Sequence, residues 1–406
     1  MTYTFHTDIG PQELDTFVEN SDQNSLFQCH QWADVKNNWK HAFTGVRENG
    51  ELVAAALVLI RPLPLGKTLM YIPRGPVMDY HYYDLVRFFL DSLKAFAKKK
   101  HAIVLRFDPN LLSRIYPYSE KDKDHPMQNT DIVAMLKAYG ASHKGYTTNI
   151  HESTQPRFNA ASHFGDDYFS HLDKKTRASI RTAERKGAEL YEGHEYISEF
   201  AQAMQETEAR KGVALRNEEY FRNMMEVYGD HCIIMVAKLN FKKQIGFLET
   251  ELAELEQKMQ TEKSQKILKQ LEQKMNNDRK DLDFLLEEQK KENKDEVILA
   301  GKLAIYNKNR MEYVYMGNNA SYLRIRASYL LYKAFFDRCV ELGIHYVSMG
   351  GIEGTLDDGL TQFKSSWLME VEEYIGEFNI VLDPVMYYSF EKLYPQAVKL
   401  LVKLRK

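Results

Sequence analysis

Residues 246–301 read GFLETELAELEQKMQTEKSQKILKQLEQKMNNDRKDLDFLLEEQKKENKDEVILAG. Between Gly246 and Gly301 there is neither glycine nor proline, and nearly every residue favours a helix. Apolar residues recur at three- and four-residue steps: Leu248, Leu252, Leu255 and Met259, then Leu268, Leu271, Met275, Leu282 and Leu285. That spacing predicts a coiled coil. A single helix of this length would carry the chain ~75 Å away with no return. The apolar frame changes between Met259 and Leu268, so the stretch reads as a helical hairpin. Its turn is expected at 261–264, with Asn276-Asn277 as the second choice. The flanks are mixed strand and helix, so the hairpin is an arm set into a globular body.

Working outward, Cys232 to Leu239 (CIIMVAKL) before the arm has a buried-strand pattern. Glu296 to Tyr306 and Met311 to Gly317 resume as strands after it. Tyr329 to Leu342 then reads as a helix and His345 to Met349 as a strand. Upstream, Phe169 to Gly187 reads as one basic helix, with further helices at Ile197 to Lys211 and Asn217 to Tyr228. The first 150 residues give β-β-α-β: Val53 to Arg61, Met70 to Ile72, an amphipathic helix from Tyr83 to Lys100, and a strand from Ala102 to Phe107 closed by Asp108-Pro109-Asn110. Pro73-Arg74-Gly75-Pro76 is a rigid turn. Asp131 to Tyr139 is a helix ended by Gly140. Val371 to Leu382 reads as a strand pair and Tyr387 to Lys406 as a terminal helix. The strand and helix order occurs in each half, which predicts two related α/β domains.

Composition narrows the function. Hydrophobic residues make up 44% of 406, enough for two or three domains with real cores. The net charge of −3 gives no global pull toward nucleic acid, so any such contact must be local. Cys29, Cys232 and Cys339 are far apart and odd in number; they form no disulfide framework and no metal spacing. No secretory signal and no membrane-spanning run is legible. A cytoplasmic, monomeric protein without metal or cofactor is the expectation, with peripheral contact at a membrane face left open.

Several segments together resemble the FemABX peptidyltransferases, which move amino acids from aminoacyl-tRNA onto peptidoglycan precursors. They are Gln31-Trp32-Ala33-Asp34-Val35-Lys36, Tyr71-Ile72-Pro73-Arg74-Gly75-Pro76-Val77 and Arg106-Phe107-Asp108-Pro109. Next come Lys175 to Ala183 (KTRASIRTA) and Arg210-Lys211-Gly212 with Arg216. The last are Gly359-Leu360-Thr361-Gln362-Phe363-Lys364 and Glu373-Tyr374-Ile375-Gly376-Glu377. Their order, together with the inserted hairpin, covers almost the whole chain and looks most like the MurM and MurN branch. The resemblance implies two domains similar to the GCN5-related acetyltransferases with an antiparallel coiled-coil hairpin in the second. The implied boundaries are 1–155 with about 366–406 for the first domain, 156–240 with 297–365 for the second, and 241–296 for the hairpin. It also implies that the C-terminal segment returns to complete the first domain. The implied donor is an aminoacyl-tRNA of the alanine, serine or glycine class. The implied acceptor is the stem-peptide lysine of lipid II, or a residue already attached to it.

Such a reaction is aminolysis of an activated ester, so positioning and charge stabilisation suffice and no covalent nucleophile is required. No G-x-S-x-G elbow is present. Within the resemblance, Lys364 after Phe363 is the first candidate to stabilise the oxyanion or hold the tRNA end; alone, the pair also reads as a solvated lysine after a core aromatic. Lys36 and Arg216 are candidates for the precursor's diphosphate, with Trp32 as an apolar platform and Arg210 as the alternative to Arg216. Asp108 is placed to take or orient the amine's proton, and equally to cap a turn. Tyr71 and Arg74 line the peptide channel or simply build the turn. Lys174, Arg177, Arg181 and Arg185 share a helix face, thickened by Lys175 and Lys186, that suits a phosphate backbone.

The arm has five acids and two lysines over Leu248 to Lys263, then seven acids and eight bases over Ser264 to Lys294. It therefore suits tRNA contact through its tip, or a structural or partner-binding role. At the C-terminus, Leu393, Leu400, Leu401 and Leu404 alternate with Lys399, Lys403, Arg405 and Lys406. This suits an anionic membrane surface or a packed terminal helix. Two other function classes fit the chain. An acyl-CoA-dependent N-acyltransferase would need a phosphate loop that Gly350-Gly351-Ile352-Glu353-Gly354 does not match. A non-catalytic scaffold would be organised by the arm.

Overall fold

The computed structural model describes residues 2–211 and 216–393, with side chains for 2–208 and 216–391. In chain order the first elements are β1 (Tyr3–His6), α1 (Pro11–Glu19), α2 (His30–Val35), β2 (Lys40–Glu48), β3 (Glu51–Pro62), β4 (Thr68–Ile72) and β5 (Val77–Met78). They continue with α3 (Tyr83–Lys99), β6 (Ala102–Phe107), β7 (Leu112–Pro117), α4 (Thr130–Ala138), β8 (Ser142–His143) and β9 (Phe158–His163). Then come α5 (Tyr168–His171), α6 (Lys174–Arg185), β10 (Ala188–Glu192), α7 (Ile197–Lys211), α8 (Glu218–Tyr228) and β11 (Cys232–Asn240). The arm is α9 (Phe241–Thr261) and α10 (Gln265–Glu292). The chain continues through β12 (Glu296–Asn307), β13 (Arg310–Asn318), α11 (Ala327–Glu341), β14 (Tyr346–Gly351), α12 (Gly359–Ser365), β15 (Glu370–Tyr374), β16 (Phe378–Val381) and α13 (Pro384–Tyr388).

These elements form two compact units. The first comprises Met1–Asp166, Tyr306–Glu312 and the described part of Ile344–Lys406; the second comprises Asp167–Ile305 and Tyr313–Gly343. The first unit holds a sheet in the order β1-β2-β3-β4-β6-β16-β8, with β5 beside β3. Val53 to Arg61 is buried almost throughout because it lies in the middle of this sheet, which is why it reads as a continuous apolar run. α3 lays Leu85, Val86, Phe89, Leu93 and Phe96 into the same core as Val58, Ile60, Met70 and Leu105. β16 pairs antiparallel with β6, Phe378 opposite Phe107, so this late segment lies within the first sheet. The unit's other strands run β14, β9, β15, β7, with Met311 and Glu312 of β13 lying parallel beside Val347 and Ser348.

In the second unit β10, β11, β12 and β13 are neighbours, and Phe200, Phe221, Leu303, Phe335 and Phe336 are buried. The basic segment differs from its expected single helix. Leu172 is extended, and the Asp173 carboxylate caps α6 by accepting the Thr176 N–H at 2.5 Å. A short N-cap outweighs continuous helix propensity there.

The arm follows its apolar pattern. Residues 262–264 separate the two helices, within the expected turn. Leu248, Leu252, Leu255 and Leu285 are buried, and Lys274 reaches across to Glu251 at 2.6 Å. The base of α10 carries what periodicity could not show: Asp278 and Asp281 are buried. Arg185 pairs with Asp278 at 2.7 Å, while Lys186 at 3.0 Å and Arg324 at 2.5 Å converge on Asp281. Buried carboxylates persist where cations partner them, and these partners fasten the arm to its own unit.

Candidate active site

The Pro73-Arg74-Gly75-Pro76 turn and the end of β6 meet in the first unit. The Asp108 carboxylate is buried; it accepts the Arg74 backbone N–H at 2.8 Å and the Tyr71 hydroxyl at 3.1 and 3.2 Å. Burial raises its pKa to about 7, against the pull of the Arg74 guanidinium and these hydrogen bonds. Burial, then the neighbouring Asp108 charge, raises the Tyr71 phenol well above its ordinary value, so Tyr71 acts as a donor. Arg74 itself is left-handed at φ +52. Its guanidinium lies over the Tyr374 ring at 3.7 Å and donates to the Pro156 carbonyl at 2.8 Å.

Pro156 connects this cluster to Lys364. A Cβ on Gly351 would stand 2.4 Å from the Pro156 ring, so only glycine lets β14 approach so closely. Lys364 is 5% exposed, and its Nζ donates to the carbonyls of Gly350 and Gly351, each at 3.0 Å. α12, which carries Lys364, is capped by Asp358 accepting from Leu360 N–H and Thr361 N–H. The lysine is therefore not a solvated side chain: its charge is fixed at the end of β14. Phe363, its neighbour, is half-buried.

On the other side of the turn, the Gln28 amide donates to the Pro73 carbonyl at 2.5 Å, and its oxygen accepts Leu57 N–H at 2.9 Å. Trp32, four residues on, is buried edge-to-face on Phe27 at 4.8 Å. The Lys36 ammonium stands 4.5 Å from the centre of the Trp32 ring. Lys36, Trp32, Tyr71, Arg74, Asp108, Phe363 and Lys364 thus all belong to the first unit.

The remaining candidates lie in the second unit. Arg216 is exposed just before α8, its guanidinium 4.9 Å from the Tyr220 ring. Arg210 is helical in α7, but its side chain lies outside the described residues. On α6, Lys174, Lys175 and Arg181 are exposed, whereas Arg177 is half-buried and donates to the Ser170 carbonyl. Arg185 turns to Asp278 of the arm, so the row of cations is broken at its C-terminal end. Of the C-terminal helix, 394–406 lie outside the described residues.

Glu373, Tyr374 and Glu377, quoted above only for their family likeness, and Glu372 beside them, which was not singled out, are the supports of the site. β15 reads Glu-Val-Glu-Glu-Tyr, and its two inner acids point to opposite faces because strand side chains alternate. Glu372 accepts from Asn159 at 2.7 Å, from Tyr346 at 3.0 Å and from Tyr374 at 3.2 Å, which ties down the ring on which Arg74 rests. Glu373 is held by Arg157 at 3.1 Å, Arg114 at 3.2 Å and the Tyr116 hydroxyl at 2.8 Å. Burial opposes the charge on Glu377, but Arg106, Thr154 and Lys144 outweigh it and hold the carboxyl below its usual range. The sequence signal was three acids in a five-residue strand.

Gly351→Ala is expected to lower catalytic turnover by more than about tenfold and stability by about 1–3 kcal/mol, because the added methyl must displace Pro156 and with it the Arg74 anchor. Steady-state kinetics alongside a thermal melt check both.

A two-unit α/β body with an inserted helical hairpin and a buried Asp-Tyr-Arg cluster is the class that the fold and site define. The chain matches the FemAB family over residues 9–395 and belongs to it. Lipid II:glycine glycyltransferases of Staphylococcus aureus strains MRSA252 and bovine RF122 / ET3-1 are each 27% identical to it over 424 aligned residues, covering 98% of this chain and 97% of theirs. A crystal structure of FemX is similar with a TM-score of 0.74 and 27% identity, over 97% of this chain and all of that one. These relatives do not place the chain in the MurM and MurN branch.

Proposed function

We propose that this protein transfers an amino acid of the alanine, serine or glycine class from aminoacyl-tRNA to the stem-peptide lysine amine of lipid II, or to a first branch residue, at the cytoplasmic face of the membrane. The observation that carries this reading is the whole-chain FemAB match, with relatives named for glycyl transfer to lipid II. The site chemistry supports it. The acceptor amine, with a pKa near ~10.4 when free, must lose a proton to attack. Asp108, buried with a pKa of about 7, is the acceptor for that proton, oriented by Tyr71 and the Arg74 N–H. The amine nitrogen bonds to the ester carbonyl, whose oxygen gains negative charge beside the Lys364 ammonium. The ester C–O bond then breaks, and the tRNA 3′ oxygen leaves with the second proton, which the attacking nitrogen gives up as the amide forms.

Lys36, 4.5 Å from the Trp32 ring in the first unit, is assigned to the diphosphate, and Arg216, beside Tyr220 in the second unit, is assigned separately as an anion contact of that unit. Lys174, Lys175 and Arg181 are the assigned tRNA contacts. The protein acts as a monomer and without a cofactor. The test supplies glycyl-, alanyl- and seryl-tRNA, and separately acetyl-CoA, with lysine-containing lipid II, and reads the mass added to the stem peptide. An aminoacyl increment from one of the tRNAs is the expected result; an acetyl increment alone overturns the reading.

A further inference from the structure

One end of the first sheet carries strongly exposed apolar side chains. The turn between β3 and β4 raises Leu65 to 85% exposure, with a left-handed backbone at φ +60. A leucine is doubly disfavoured there: its side chain gains nothing from water, and its Cβ crowds the backbone, where asparagine or glycine would not. A partner outside the fold would relieve the first of these costs by covering the side chain. The same end carries α13, with Val385 76% and Tyr388 63% exposed. The Lys67–Asp383 ion pair, 2.8 Å, brings the two together; Leu65 and Val385 each lie two residues from it. Beneath, the Arg61 guanidinium stands 5.8 Å from both the Trp39 and Phe390 rings.

Basic residues outnumber acids at this end. Thr68 opens β4 opposite Ala102 and bonds to the carbonyls of Lys100 and His101. That places the exposed triplet Lys98-Lys99-Lys100 beside the turn. The acids nearby are taken up, Asp383 by Lys67 and Glu391 by Arg106 at 2.6 Å. Protruding apolar side chains ringed by lysines fit the boundary between anionic headgroups and acyl chains, where leucine and valine enter and lysines stay with phosphate. No helix among the described residues is long and apolar enough to cross a membrane.

We propose that the β3–β4 turn and α13 form a docking surface for an anionic phospholipid bilayer, with Leu65, Val385 and Tyr388 inserting and Lys98, Lys99 and Lys100 lying on the headgroups. Its purpose, presenting the site to a lipid-linked acceptor, rests on the transferase reading; its existence does not. The test is co-sedimentation of the full chain with phosphatidylcholine vesicles, and with vesicles in which about a third of the lipid is phosphatidylglycerol.

The wild type is expected to sediment with the anionic vesicles only, in a salt-sensitive way. Leu65→Asn, Val385→Ser and Tyr388→Ser together are expected to weaken that binding tenfold or more. Lys98, Lys99 and Lys100→Gln are expected to remove most of its salt sensitivity. Leu65→Asn alone should hold or raise the melting temperature, so lost binding is not lost fold. Unchanged binding by the apolar triple variant overturns the proposal. So does a wild-type dimer in sedimentation velocity that this variant dissolves, since the surface would then serve a second copy. Transfer to a water-soluble precursor should be unaffected in the triple variant. Its absence in the wild type would count against the transferase reading and leave the vesicle result to decide this surface.

Discussion

Asp108→Asn is expected to lower kcat/KM for transfer by about a hundredfold or more, the range of a lost general base, and to abolish the acidic limb of its pH profile. Burial raises this carboxyl to about 7, and a carboxylate accepts a proton only when ionised. The ionised fraction therefore grows as pH rises through 7, and wild-type kcat/KM should climb between about pH 6 and pH 8. The groups facing Asp108 account for the shift. The Arg74 guanidinium and N–H and the Tyr71 hydroxyl pull the pKa down, Glu377 pushes it up, and burial outweighs them. Asparagine keeps the shape and can still accept the Arg74 N–H, so the variant should fold. A flat wild-type profile across this range, or a variant within about threefold of wild type, would contradict the assignment.

The second large effect belongs to Lys364. Lys364→Met retains the buried stem and removes the charge, and transfer should fall by about a hundredfold or more if the ammonium stabilises the developing oxyanion. The carbonyls of Gly350 and Gly351 lose their donor, so a stability cost of about 1–3 kcal/mol should accompany it. The two contributions separate in measurement: a melt reports the carbonyls, while single-turnover transfer with saturating charged tRNA reports the charge. Binding of the tRNA should change less than the rate. A variant that is less stable yet transfers at the wild-type rate would reduce Lys364 to a strand-end fastener.

How much of this was written in the sequence varies with the range of the interaction. The arm was legible because its signal is local: a run free of glycine and proline, with apolar steps that change frame at the turn. The central strands were legible because a buried strand is apolar throughout. Asp108 could be singled out from its place at a strand end before proline, and the Lys36–Trp32 pair from one helix turn.

What the sequence did not disclose is long-range. Arg185 and Asp278 are 93 residues apart, so the row of cations on α6 looked continuous until the arm was in place. Arg74 rests on Tyr374, and Glu372, which holds that ring, meets Asn159 from 213 residues away. The solvated reading of Lys364 stayed open beside the catalytic one because two of its partners are backbone carbonyls, which have no sequence signature. Leu65 was invisible for the opposite reason: an exposed leucine in a proline-flanked turn reads the same as a buried one.

The most direct measurement of the central claim is the ribonuclease sensitivity of label transfer into lysine-containing lipid II. With the amino acid radiolabelled and preloaded on tRNA, the protein should incorporate label into the precursor, and prior ribonuclease treatment should abolish incorporation. Incorporation that survives ribonuclease, or that proceeds equally from an acyl-CoA donor, would contradict it.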